Sequence, residues 1–315
     1  MVNYLAKRFL QLLLTMMLTS VAVFFLIYAV PGNPETTIAG PNATPEQLAQ
    51  VRVRLGLDQP VVVQYFRWLG NALQGDLGTS LAFQVPVLEL LGDRFVATVQ
   101  LIGFTLVIGI VLAVPLGTLA ALRPRSVVAR ITSLAQVILL ATPSFWLGIM
   151  FIWLLGLELG WFATYSDYVP FFEDPARAIK NSALPALTLG LFMAAVLLRF
   201  VRSAVWDALH EPFIRVVRAK GAPEWRVVTH HALRNALVPI VTVVGLQLGG
   251  FVGGTVVTES IFNYPGLGRL VFTSVVARDY PVVQGSLLLV VVCFVFINMF
   301  VDLLYAVLDP RVRVS

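Results

Sequence analysis

The sequence predicts an all-α integral membrane protein: six transmembrane helices, with a small helical extracytoplasmic cap after the first span. Three observations carry this. Apolar residues make up 58% of the 315 and charged residues only 12%, against about a quarter charged in a soluble domain. The apolar residues are gathered into runs long enough to cross a bilayer. The basic residues collect between those runs on one side, the pattern of a chain threaded with its cationic loops inside.

Lys7 and Arg8 precede the first run, Phe9 to Val30. As a helix it extends about 33 Å, enough for the hydrocarbon core. Ser20-Val21-Ala22 weakly resembles a leader-cleavage site, but the run continues past it, which favours a retained helix over residues 1–30. Residues 31–94 then form the extracytoplasmic cap. Within it, Thr44-Pro45-Glu46-Gln47 fits a capping box, in which hydroxyl and side-chain amide satisfy each other's backbone N–H groups. That box opens a helix to Leu55. Pro60 opens a second helix, Val61–Leu73, which Gly75-Asp76-Leu77-Gly78 ends. Its Tyr65, Phe66, Trp68 and Leu69 suit the headgroup level better than a ligand platform.

The second run, Phe95 to Leu122, stops at Arg123-Pro124-Arg125. The third, Ile131 to Leu155, carries Pro143 at mid-span between Thr142 and Ser144. Their hydroxyls can satisfy the backbone groups that a kink frees. A polar loop from Gly156 to Ala183 follows. Asn181 or Ser182 is expected to cap the fourth span, with Pro185 in its first turn. That span ends near Arg199 and Arg202.

The fifth span, Leu237 to about Thr258, places Gly245, Gly249 and Gly253 at four-residue steps, with Gly254 beside them. Small residues at this spacing let helix backbones approach closely, as static packing or as a sliding surface beside a pore. A loop from Glu259 to Pro281 leads to the sixth span, Val282 to Val307. There Asp302 stands one turn after Asn298. An intramembrane carboxylate is a functional candidate, but a place near the cytoplasmic end favours an interhelix hydrogen bond over a proton relay. Pro143, Asn298, Asp302 and the four glycines are thus the candidates for helix packing or pore lining.

Of the 22 Lys and Arg residues, 14 fall on the side that would hold both termini, the second loop and the fourth loop. The positive-inside rule makes that side cytoplasmic. The pI near 9.6 therefore reads as cytoplasmic arginine. No soluble basic domain is present to bind nucleic acid. The single Cys293 excludes an intramolecular disulfide.

The fourth loop, 203–236, is the most informative polar stretch. It carries Arg215, Arg218, Lys220, Arg226 and Arg234 against Glu211 and Glu224 from position 211 onward. Gly221 suits a left-handed position past a helix end, and Pro223 the opening of a new helix. Two short helices should therefore meet at Ala219–Pro223, with Glu224 in the first turn of the second. Phe213 and Val217 would share one face, Arg215 and Arg218 another. Such an elbow, apolar on one side and basic on the other, can dock into a partner or lie on a bilayer.

Catalytic signatures are missing. His210-Glu211-Pro212 is followed by Phe213 and Ile214 and so is no zinc-binding HExxH. No GxSxG occurs, and none of Lys7, Lys180 and Lys220 sits in a P-loop. No catalytic residue, cofactor or metal is expected, and any ATP-driven work falls to another polypeptide.

Several stretches together carry a resemblance: Tyr28-Ala-Val-Pro-Gly-Asn-Pro34, Leu55-Gly-Leu-Asp-Gln-Pro60, Gln64-Tyr-Phe-Arg-Trp68, Gly75-Asp-Leu-Gly-Thr-Ser80, Arg218-Ala-Lys-Gly221, His231-Ala-Leu-Arg-Asn-Ala236, Tyr264-Pro-Gly-Leu-Gly-Arg269, Arg278-Asp-Tyr-Pro281 and Asp309-Pro-Arg311. On these, nearly the whole chain resembles the permease subunits of bacterial ATP-binding-cassette importers for dipeptides and oligopeptides (the peptide/nickel family). The resemblance implies a type I importer core over 95–309, with the fourth loop holding a coupling helix. Aligned on Gly221, only Gly221 and Leu233 of the general importer coupling pattern are retained. Arg215, Val216 and Val217 replace its Glu-Ala-Ala. The resemblance further implies that Phe213, Ile214, Arg215, Val217, Arg218, Ala219, Lys220, Gly221, Pro223 and Glu224 contact cytoplasmic ATP-binding subunits. Its other implied partners are a second homologous permease, an extracytoplasmic substrate-binding protein and membrane lipid. The expected cargo is a dipeptide or oligopeptide, moved by alternating access, with haem, glutathione or a nickel chelate as alternatives. A stand-alone secondary transporter would need midplane ion sites and paired broken helices, and the spans are poor in such groups.

Overall fold

The computed structural model describes residues 2–29, 43–54, 58–164 and 168–308. Among these residues the regular elements are helical, apart from an isolated antiparallel bridge between Thr79 and Pro86. In chain order they are α1 (Val2–Ala29), α2 (Pro45–Arg54), α3 (Val61–Leu73), α4 (Val87–Leu122) and α5 (Val127–Ala141). Next come α6 (Ser144–Phe151, prolonged by a π-turn Ile152–Glu158), α7 (Pro175–His210) and α8 (Pro212–Ala219). The chain then enters α9 (Leu233–Gly254) through Glu224–Arg226 and a π-helical Val227–Ala232. Finally come α10 (Val256–Ile261), α11 (Leu267–Val276) and α12 (Tyr280–Leu308).

Among the described residues four helices are long and apolar enough to cross a membrane: Val87–Leu122, Pro175–His210, Glu224–Phe251 and Tyr280–Val301. The bent pair α5–α6 makes a fifth only if it is counted as one span. In α1 the apolar stretch with described side chains is Leu10–Phe25. Leu134, Val137, Phe145, Trp146, Val107 and Val111 are among many large apolar side chains left exposed, a surface that suits lipid and not water.

The chain divides into two compact units. The first comprises Met1–Ala97 and Pro265–Val295. Here α3 lies on α1 through Ser20 Oγ and Tyr65 OH at 2.9 Å, and through the Phe24 ring set edge-on to Tyr65 at 5.5 Å. The expected helices form where the local signals stand. Thr44 N–H donates to Gln47 Oε1 (2.9 Å) and Gln47 N–H to Thr44 Oγ1 (3.3 Å), the reciprocal box. Val87, Leu91, Leu267, Leu270 and Val282 form a core beneath the loop 78–86. Buried Asp279 holds that loop. Its carboxylate accepts from the Ser80 hydroxyl (2.5 Å) and from the backbone N–H groups of Leu81 and Ala82 (3.1 Å each). Asp279→Ala strands these donors in a buried place. With each buried unsatisfied group costing about 1–3 kcal/mol, we expect a clear drop in the thermal unfolding midpoint of the purified protein. Asp279→Asn, which keeps one acceptor, should lose less.

The second unit comprises Thr98–Tyr264 and Phe296–Ser315. Its centre is α7, whose Met193, Leu197, Val201 and Val205 are fully buried. Glycines set the approach of α4 to α7. A Cβ at Gly190 would stand 2.7 Å from Ile108 Cγ2, and one at Gly117 2.8 Å from Val201 Cγ1. At one end of this unit Glu259 is buried and accepts from Thr98 Oγ1 at 2.9 Å. Near it, burial pushes the Tyr264 phenol above its ordinary pKa.

Two sequence expectations are corrected in this unit. The fourth span is capped by Asp174, whose carboxylate accepts from Arg177 N–H at 3.0 Å, with Pro175 at the first position. Asn181 and Ser182 therefore lie inside α7, and Pro185 is interior instead of first-turn. The charged Arg177 and Lys180 make the opening turns read as loop. The third span is not one kinked rod. Its halves meet at 104°. Thr142 Oγ1 donates back to Ile138 O at 2.7 Å, and Pro143 brings no N–H to continue the ladder.

Candidate functional site

The elbow between α7 and α9 is built from local signals. Glu211, in extended geometry, turns the chain out of α7, and Pro212 opens α8 with a preset φ. Lys220 N–H donates to Val216 O (3.1 Å) and Gly221 N–H to Arg218 O (2.9 Å), closing the helix. Gly221 then takes φ +81°, a conformation open to glycine without a Cβ penalty. Pro223 caps the following turn, and Glu224 is its first residue.

The elbow is seated by one side chain. Ile214 is fully buried in a cluster with Val201, Val205, Leu209, Val227, Val228 and Ala232. These residues come from α7 and from the entry to α9. Complete burial of an isoleucine contributes about 1.5–3 kcal/mol, which ties α8 to both elements. This corrects the facing assigned from sequence. The inward pair is Ile214 and half-buried Val217, while Phe213 (39% exposed) and Val216 (55%) point outward. The two candidate stripes differ by one residue, about 100° of rotation. The hydrophobic cluster selects between them.

Arg218 also makes a contact that the sequence did not announce. Its guanidinium meets Glu224 in a two-pronged ion pair, Nη2–Oε1 2.6 Å and Nε–Oε2 3.2 Å, which straps the turn across Gly221. The pair holds Glu224 below the usual carboxylate range and Arg218 above its own ordinary value. Both partners are exposed, so the strap contributes at most about 1 kcal/mol and weakens with salt. Because the folded pKa of Glu224 is depressed, its contribution is present above the unfolded pKa. It is lost as pH falls through the folded value. Glu224→Gln should therefore lower the unfolding midpoint slightly near neutrality and flatten its acid-side dependence, so that variant and wild type converge at low pH across a pH series.

A cavity of about 340 Å³ opens beside the strap, lined by Trp206, His210, Arg215, Arg218 and Glu224 with the end of α4. Ala219, Lys220, Gly221 and Pro223 are exposed. Two outward groups escaped the sequence reading: Val216 and Trp225, the latter 59% exposed with Arg226 5.4 Å over its ring. A tryptophan within a basic stretch was the available signal.

The pore candidates separate. Pro143 and Gly254 line a second cavity of about 460 Å³, together with Gln247, which the sequence reading passed over. A Cβ at Gly245 would lie 2.2 Å from Val301 Cγ2, so Gly245 is a packing contact. Gly249 is buried, and Gly253 has open space around it. Asn298 lies within α12, and the Asp302 side chain lies outside the described residues. So do 30–34, 55–57 and 309–311 of the matching stretches.

Comparison with known proteins covers nearly the full length. Residues 1–102 match the N-terminal family of binding-protein-dependent transport system membrane components, and 113–314 the inner membrane component family itself. The chain is 41% identical over 99% of both chains to the glutathione transport system permease protein GsiC of Escherichia coli O6:H1. It is 40% identical, with the same coverage, to the proteins of that name from Salmonella paratyphi A and Shigella dysenteriae.

Proposed function

The chain belongs to the inner membrane components of binding-protein-dependent transport systems, as a permease subunit of a peptide/nickel-type ABC importer, and from this we propose that it carries glutathione or a peptide of similar size inward, driven by ATPases on separate chains. The relatives' name favours the glutathione alternative over the dipeptide and oligopeptide cargo expected first. Six spans, both termini in the cytoplasm and the elbow on the cytoplasmic face complete the reading, supported by the distribution of arginine.

The observation that carries coupling is the seating of Ile214 beneath exposed Phe213 and Val216. An ATPase cleft that receives the outer pair pushes on a helix locked to α7 and to the entry of α9. Arg215, Arg218, Ala219, Lys220, Gly221, Pro223 and Glu224 form the rim, and Val217 backs it from inside. ATP binding closes the ATPase pair and shifts the permease pair between inward- and outward-facing states. Transport follows because cargo, binding protein and nucleotide favour different states. No hydrolytic chemistry is assigned to this chain.

The test is uptake of labelled glutathione into proteoliposomes holding this chain, its partner permease and both ATPases, with binding protein outside the membrane face it serves. Uptake should require ATP and every component. Uptake by this chain alone down an ion gradient would replace this reading with a secondary transporter.

A further inference from the structure

The cavity of about 460 Å³ beside the α5–α6 break has a chemistry of its own. Thr142, Pro143 and Ser144 contribute from the break, and Gln247, Gly250 and Gly254 from α9. The remaining wall is mostly apolar, with Leu189, Phe192 and Phe251 in it, and no lining residue is charged. Gly250 and Gly254 are not packing contacts, since a Cβ on either would meet nothing within 4 Å. They leave room and bare backbone at the cavity wall. Gln247 stands half-buried in an apolar helix, and among the described residues its amide has no hydrogen-bond partner. Its amide lies on the cavity wall, open to whatever the cavity admits. Thr142 already donates to Ile138 O, so its oxygen remains as an acceptor.

We propose that this cavity holds the cargo during passage, and that Gln247 grips a peptide bond. A primary amide presents a carbonyl and two N–H donors side by side. That pattern matches the N–H and C=O of an extended peptide backbone. The volume falls within the range of about 300–1,000 Å³ typical of small-ligand sites. The ligand class is a short peptide, taken by its backbone and not by the charge of its side chains or ends. A charge-free wall also suits release, because a conduit must not hold what it passes too tightly. The inference rests on the importer reading above and adds to it the place and the chemistry of contact.

The test places a charge at Gln247 in the complete complex in proteoliposomes, with glutathione, a net anion, as probe. Gln247→Glu should raise the KM for uptake about tenfold relative to Gln247→Lys, a difference of about 1.4 kcal/mol. Structural damage would move both variants alike. A second measurement covers poor assembly. In Cys293→Ser, a cysteine replacing Ser144 should react more slowly with a water-soluble thiol reagent when glutathione saturates the working complex. A wild-type complex that takes up no glutathione or dipeptide overturns the importer reading and this inference with it. Wild-type uptake with equal KM in both charged variants, or labelling at position 144 unaffected by glutathione, overturns this inference alone.

Discussion

Arg218→Glu combined with Gly221→Asp should leave the protein inserted and assembled but abolish the response of ATP hydrolysis to binding protein. Ile214, which seats α8, is untouched, so the elbow stays attached to α7. What changes is its tip. Glutamate at 218 faces Glu224 where an ion pair of 2.6 Å stood, and the strap becomes a repulsion. Aspartate at 221 must adopt φ +81°, at a cost of up to about 1–2 kcal/mol for a residue with a Cβ. Nothing lies within 4 Å of a Cβ there, so the penalty comes from the backbone and from added negative charge, not from a clash. Stimulated hydrolysis should fall roughly tenfold or more, equivalent to a coupling loss of at least about 1.4 kcal/mol. Gly221→Asn alone, neutral and comparatively tolerant of the left-handed region, should retain most coupling. Unchanged stimulation in the double variant would remove this loop from the coupling path.

Gly245→Leu should fail at an earlier stage, in folding itself. The added Cβ would lie 2.2 Å from Val301 Cγ2 and 2.7 Å from its Cγ1, far inside van der Waals contact. Relief requires α9 and the end of α12 to separate. Overpacking of this kind costs about 1–3 kcal/mol and sometimes more, and a leucine adds three carbons beyond the clashing one. Little or no monodisperse protein should survive detergent extraction. Gly253→Ala, with open space around it, should extract and unfold as the wild type does. Equal yields of the two variants would contradict the division of this glycine run into a packing position and open ones.

What was legible in the sequence was local. The Thr44–Gln47 box, the helix Val61–Leu73 and the elbow's boundaries all depend on residues within a few positions of each other. Pro143 announced a kink, but a proline sets only that a helix bends; the 104° turn is set by what each half packs against. The start of α7 was readable in Asp174-Pro175, a good cap followed by a good first residue, and was obscured by the charges after it. The rotation of α8 was not readable. Phe213–Val217 and Ile214–Val217 are equally plausible stripes until Val201, Val205 and Val227 supply the socket. Gln247 and Asp279 share that limit, since each gains meaning from segments far away in the chain.

Asp279 illustrates what such distance means for biosynthesis. Its partner Ser80 precedes it by 199 residues. At roughly 5–20 residues per second, the ribosome releases the loop on the order of ten seconds or more before its acceptor exists. During that interval the hydroxyl and N–H donors of the loop can be satisfied only by water or by a chaperone. Nascent chains arrested before codon 279 should therefore remain protease-sensitive at 78–86, and resistance should appear only once Asp279 has emerged.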